Sequence, residues 1–124
     1  MTPSDTDAVA VSIVVPVRNE ADNVAPLIAE IVAALDGRWA YEIIYVNDGS
    51  TDATAGRLAD LMKHHRQLRQ LRHANSSGQS AAVRSGVRAA RGAIVATLDG
   101  DGQNNPVFLP DLIATGVDIL NPIQ

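Results

Sequence analysis

Three stretches of this chain are apolar and β-branched almost without interruption: Val9 to Val17, Tyr41 to Val46 and Ala93 to Leu98. Runs of that length and kind read as strands buried on both faces of a parallel sheet. Between them the apolar residues change to helical spacing. Val24, Leu27, Ile28, Ile31, Val32 and Leu35 follow i, i+3, i+4, i+7, and Asp36-Gly37 closes that helix. A second helix, capped by Thr51 or Asp52, carries Ala55, Leu58, Leu61, Met62 and His65 on one stripe. A short strand over Leu68 to Leu71 precedes a third helix from about Ser80 to Arg91, with Ala82, Val83, Val87 and Ala90 inward. After Pro106 come a short helix (Phe108, Leu109, Leu112, Ile113) and a fifth strand over Val117 to Leu120. Strands alternating with amphipathic helices imply βαβ crossovers and a Rossmann-like α/β/α sandwich with a mostly parallel sheet. The polar residues 1–8 read as a disordered tail, and 9–124 as one domain without repeat or linker.

This topology has a consequence for chemistry. Every loop leaving a strand toward a helix emerges at the carboxyl edge of the sheet, where open α/β folds bind ligands. Loops 16–22, 47–52, 73–79 and 99–106 therefore share one rim, and they are also the loops richest in Asp, Asn, Ser, Gly and Gln. The net charge of −4 argues against a general nucleic-acid partner, which needs cations to displace counterions. Eight of the ten basic residues lie between Arg57 and Arg91, on helix faces that are solvated or that meet phosphate or an anionic membrane. Cysteine is absent, which excludes disulfides and thiolate metal sites. No apolar run approaches the roughly 18 residues needed to span a bilayer, and the acidic N-terminus is unlike a signal peptide, so the expected location is cytoplasmic.

The loop Asp99-Gly100-Asp101-Gly102-Gln103 ends the third apolar run abruptly. Asp99, Asp101 and Gln103 can turn oxygen donors toward one point, the hard ligand set of Mg²⁺ or Mn²⁺, or they can form an ordinary acidic turn. A calcium loop of the EF-hand kind would need Gly and Glu where Asn104 and Pro110 stand. Asp48, directly after a strand, can accept hydrogen bonds from a base or ribose or can cap the next helix. Arg18 and Glu20 admit the same pair of readings, as phosphate and dipole partners or as solvated charges. Gly78-Gln79-Ser80 approximates a nucleophile elbow, but a polar loop separates it from any strand and all three histidines precede it. Backbone N–H groups at a helix N-terminus, facing an anion or capped by Ser80, suit it better. The glycine patterns that cradle phosphates in dinucleotide and P-loop sites are absent, which sharpens the case for a metal at Asp99 and Asp101.

Taken in order and spacing, the segments SIVVPVRNE (12–20), YEIIYVNDGSTD (41–52), GQSAA (78–82) and LDGDGQNNP (98–106) resemble the family 2 glycosyltransferases. Within them the chain is most similar to the dolichol-phosphate mannosyltransferase-like and undecaprenyl-phosphate sugar transferase branch. The resemblance implies a GT-A fold. It also implies a nucleotide diphosphate sugar, GDP- or UDP-linked, bound through Pro16, Arg18, Asn19, Glu20, Asp48 and Asp99. Asp99, Asp101 and Gln103 would then hold Mg²⁺ or Mn²⁺ against the diphosphate. The implied reaction is inverting transfer to a polyprenyl phosphate at a membrane surface. Asn47 and Arg18 stand where the family often has Asp and Tyr. Family members continue well beyond the acidic loop, so the chain reads as the donor-binding half. On that reading, apolar surface left by the missing half favours self-association, and a non-catalytic fragment would be completed by a partner chain. The alternatives are a non-catalytic nucleotide-sugar-binding fragment and a metal-dependent hydrolase of nucleotide sugars.

Overall fold

A computed structural model of the chain describes residues 9–101 and 105–115. Four strands, β1 (Val11–Val17), β2 (Tyr41–Asp48), β3 (Leu68–His73) and β4 (Ile94–Thr97), form one sheet in the order β3-β2-β1-β4. All three pairings are parallel. The connecting helices are α1 (Ala21–Leu35), α2 (Thr54–Met62) and α3 (Gln79–Ala89). A 3₁₀ turn over Pro106–Phe108 leads into α4 (Leu109–Thr115). The expected α/β architecture is present, with helices on both faces of the sheet. Residues 1–8 and the expected strand Val117 to Leu120 lie outside the described residues.

The two faces are unequal. Odd-numbered residues of β1, with Ile43 and Tyr45 of β2, pack against the apolar stripe of α1, Leu58 of α2, and Leu109 and Ile113 of α4. On the other face, Val14, Ile44 and Val46 meet α3 through Ala82, with Leu71 and Val95 at the margin. That second layer is thin because α3 lies close. A Cβ on Gly86 would collide with the Val14 side chain, so glycine sets the approach of helix to sheet.

Several element boundaries differ from the sequence expectation, each for a local reason. β2 runs two residues further than its apolar run, because Asn47 and Asp48 pair in register with Arg72 and His73. β3 is correspondingly longer, an edge strand whose arginines hide its strand character from an apolarity count. The second helix begins at Thr54, with Asp52 bridging both the Thr54 N–H and its hydroxyl just ahead of it. Met62, expected inward, is 38% exposed, and His65 lies in the turn beyond the helix end. Phe108, expected within a helix, sits in the 3₁₀ turn and is 63% exposed.

Pro16 sits inside the central strand β1, one residue before its end. The register explains why this is tolerated. β4 pairs with β1 only as far as Val14↔Thr97, and the Val14 carbonyl accepts the Leu98 N–H. Pro16 occupies the next position with the same orientation, past the end of β4, where no ladder donor is called for.

Candidate functional site

The early end of β4 opens a cleft of about 430 Å³ at the carboxyl edge. It lies between β1 and β4, where the strand order reverses, which is where ligands of open α/β sheets bind. Pro16, Arg18 and Glu20 come from the loop after β1, Asp48 from the end of β2, and Asp99 and Asp101 from the loop after β4. Ser76, Gly78 and Gln79 supply the wall between Asp48 and Asp99. Six of the residues singled out in the sequence thus converge on one cavity, although they span more than eighty positions.

Gly100 fixes where the two aspartates stand. A Cβ there would run into the Val17 side chain and come within 2.9 Å of the Pro16 carbonyl oxygen. Without a side chain, the loop lies directly on the end of β1 and presents Asp99 and Asp101 to the cleft. Gln79 reaches across from the start of α3, its amide donating to Asp99 Oδ1 at 3.1 Å.

Asp48 is 4% exposed and fully engaged. Its Oδ1 accepts the Ser77 N–H (2.8 Å) and contacts His73 Nδ1 (2.7 Å). Its Oδ2 accepts the Gly78 N–H and the Ser76 hydroxyl, both at 2.9 Å. Burial works to raise this carboxyl, but the hydrogen bonds from Ser77, His73, Gly78 and Ser76 outweigh it and hold the group well below the usual carboxylate range. A carboxylate offers about four acceptor positions, and here all are occupied by the 73–78 segment. The sequence left Asp48 as an acceptor for a base or ribose or as a cap of the next helix; in the structure its carboxylate holds the 73–78 segment. Gly49, at φ +72, lets the segment come so close, since a Cβ would sit 2.5 Å from the Ser76 nitrogen.

Asn19 does not line the cleft. It stands at φ +56 and its side-chain carbonyl accepts the Thr51 and Asp52 N–H groups at 2.8 and 3.3 Å. Its own N–H donates to the Ser50 hydroxyl, and the Glu20 N–H donates to the Thr54 hydroxyl. These bonds tie the loop after β1 to the loop after β2, so Asn19 shapes the site through the backbone of its neighbours.

The residues present fit a divalent cation of the hard kind. Asp99 and Asp101 line the same wall, and both offer carboxylate oxygen. Among the described residues no group of three His, Cys, Asp or Glu side chains is assembled for a metal. A site of two carboxylates completed by ligand phosphate oxygens is the usual arrangement for Mg²⁺ beside a nucleotide. Gln103, the third ligand expected from sequence, lies outside the described residues.

Sequence reasoning missed Ser76, Gln79, His73 and Ser85. Gln79 stood in the Gly78-Gln79-Ser80 stretch read as a helix N-terminus, with no role given to its side chain. His73 and Ser85 carry no local signal, because their roles arise from contacts with Asp48 and with one another.

A family model for glycosyl transferase family 2 matches residues 12–115. A dodecaprenyl-phosphate galacturonate synthase from Rhizobium johnstonii is 37% identical over 117 residues, which are 91% of this chain and 34% of that protein. An undecaprenyl-phosphate 4-deoxy-4-formamido-L-arabinose transferase from Edwardsiella ictaluri is 36% identical over 120 residues, 92% of this chain and 37% of that one. A mannosyltransferase from Pyrobaculum calidifontis, solved in complex with GDP-Man and Mn²⁺, superposes with a TM-score of 0.69. It is 26% identical, over 82% of this chain and 30% of that one. The chain spans about a third of the length of the curated relatives it matches. No helix among the described residues is long and apolar enough to cross a membrane.

Proposed function

The chain belongs to glycosyl transferase family 2, and from that premise we propose that its cleft binds the nucleotide diphosphate sugar donor of an inverting transfer to polyprenyl phosphate. The observation that carries this reading is the convergence of Asp99 and Asp101 with Arg18, Glu20 and Asp48 around one cavity at the β1/β4 switch point. The synthase and the arabinose transferase named above both carry a polyprenyl phosphate in their names, and the superposed mannosyltransferase holds GDP-Man with Mn²⁺.

In this reading Pro16, Arg18 and Glu20 flank the nucleoside, with Asn19 setting the loop that carries them. Asp48 forms the facing wall through the 76–78 backbone it holds. Asp99 and Asp101 would hold Mg²⁺ or Mn²⁺, with Gln103 as a further oxygen donor from the same loop. A cation bound there neutralises charge on the departing nucleoside diphosphate. The Gln79 amide steadies Asp99 so that its carboxylate does not swing with each binding event. A polyprenyl phosphate is already an anionic nucleophile, so attack on the anomeric carbon from the face opposite the leaving group needs no strong general base.

Titration of UDP- and GDP-sugars with and without Mn²⁺ tests the donor site, with Asp101→Ala as control. Release of nucleoside diphosphate on adding polyprenyl phosphate then tests transfer. Metal-dependent affinity that Asp101→Ala abolishes is the expected result, and sugar-nucleotide binding indifferent to both metal and Asp101 would refute it. Binding without lipid-dependent turnover would mark the chain as a donor-binding module completed by further polypeptide.

A further inference from the structure

One set of side chains beside the cleft has no part in the donor reading. His73, the last residue of β3, stands with its side chain 20% exposed between two partners. Its Nδ1 lies 2.7 Å from Asp48 Oδ1, and its Nε2 lies 2.8 Å from the Ser85 hydroxyl on α3. With Asp48 a carboxylate, Nδ1 carries a proton and donates to it, and in the neutral tautomer Nε2 accepts from Ser85.

The order Asp–His–Ser is that of a hydrolase triad, but the surroundings exclude a nucleophile. Ser85 lies in the middle of α3, whose backbone N–H groups are used by the helix, and it does not line the cleft. The N–H groups of its own helix are thereby committed and offer no oxyanion hole. The direction of the contacts suggests another role. His73 is tied at one end to a rigid helix and at the other to the carboxylate that holds Ser76, Ser77 and Gly78.

We propose that His73 is a positioning residue for the donor site: anchored by Ser85, it fixes the rotation of the Asp48 carboxylate and thereby the 76–78 wall facing Asp99. This rests on the reading of the cleft as a donor site. A carboxylate at the end of a strand can turn about its χ2 bond, which is broad and soft. Were Asp48 to turn, Ser77 and Gly78 would lose their shared acceptor, and the start of α3, with Gln79, would shift relative to Asp99. The imidazole removes that freedom because it is planar and held at both nitrogens. Ligand-holding groups commonly depend on such outer partners, whose loss costs about tenfold or more in affinity.

The test uses the full chain and three variants. His73→Ala removes both contacts, His73→Asn keeps a donor near the position of Nδ1, and Ser85→Ala frees only the far end of the ring. Two quantities are read: the Kd for GDP and UDP with Mn²⁺, and amide exchange at Ser77 and Gly78 relative to the β1 amides. In His73→Ala, Kd rises about tenfold and exchange quickens at Ser77 and Gly78 while β1 keeps its rates. His73→Asn recovers most of both effects, and Ser85→Ala shows a smaller change of the same kind. A general loss of stability would instead quicken exchange everywhere and leave the Kd of the folded protein alone. That result, or unchanged Kd and exchange in His73→Ala, overturns the proposal. Should His73→Ala fail to fold, Ser85→Ala with unaltered exchange at Ser77 and Gly78 overturns it equally. If the unmodified chain binds neither nucleotide, the donor reading fails, and the exchange comparison still decides the positioning role of His73.

Discussion

Two buried carboxylates stand on the same face of β2, six residues and about 20 Å apart: Glu42 near its start and Asp48 at its end, 1% and 4% exposed. They are stabilised in opposite ways. Glu42 is met by the Arg69 and Arg91 guanidiniums at 3.0 and 3.1 Å, the Arg91 N–H at 2.7 Å and the Ser12 hydroxyl at 2.6 Å. Asp48 is held instead by backbone N–H groups, a hydroxyl and an imidazole. The helix above them, α3, explains the difference. Its N-terminus lies over Asp48, where the dipole and the unpaired N–H groups favour an anion. Its C-terminal end lies over Glu42, where the dipole is unfavourable and Arg69 also donates to the Ala89 carbonyl. A carboxylate at the negative end of a helix needs countercharge, and one at the positive end does not. The arginines close the amino edge beside Glu42, whereas the carboxyl edge opens as a cleft past the end of β4.

This contrast makes the two ends separable by mutation. The largest effect is expected at Glu42. Glu42→Ala leaves two guanidiniums facing one another and should cost about 3 kcal/mol in urea unfolding, while the folded protein keeps its nucleotide affinity. If that affinity also collapses, the two ends are not independent. Asp48→Ala strands the Ser77 and Gly78 N–H groups and should cost about 2 kcal/mol, this time with loss of nucleotide binding as well.

Acid should act on both ends together. For Glu42, burial is outweighed by the hydrogen bond from Ser12 and those from Arg91, together with the charge of Arg69, so its carboxyl, like that of Asp48, is held below its ordinary value. Folded-state values below the unfolded ones give stability that is complete above the ordinary carboxylate range. It is lost as pH falls through that range toward the folded-state values. A denaturation midpoint that does not fall between pH 5 and pH 3 would contradict this. In Asp48→Asn the acid-induced loss should be shallower than in the native chain.

Gly100→Ala probes the cleft without touching a charge. The added methyl meets Val17 and the Pro16 carbonyl, so a loss of about 1–2 kcal/mol is expected, with weakened Mn²⁺-dependent binding measured by titration calorimetry. The smallest effect belongs to the exposed pair Arg57–Asp22, at 3.7 Å with the Asp22 side chain 95% exposed. Asp22→Ala should leave the urea midpoint nearly where it was, within about 0.5 kcal/mol.

The sheet was legible in sequence wherever strands are buried on both faces, because uninterrupted β-branched runs have few other homes. The stripe of α1 was equally legible, and five of its six apolar positions are buried. Less visible was whatever depends on pairing. Asn47 and Asp48 read as a turn because Asn, Asp and Gly favour turns, yet Arg72 and His73 draw them into the ladder. Asn19 read as a ligand contact by its place in the motif. Its partners, Ser50, Thr51 and Asp52, lie more than thirty residues away and make it a brace between loops. The acidic residues that line the cleft stand out by type and spacing, and the residues that hold them do not, because a supporting contact leaves no periodicity.

The cleft exists because β4 stops pairing at Thr97 while β1 continues to Val17. An aperture of this origin cannot be tuned smoothly. Adding or removing one residue within β4 would turn every side chain beyond it to the opposite face, so core packing permits changes only in pairs. Each pair moves the mouth by about 7 Å, the size of a whole sugar ring. Such a step is too coarse for fitting one small ligand rather than another. Finer adjustment of the cleft must therefore come from the rim loops, with the strands keeping a common gauge.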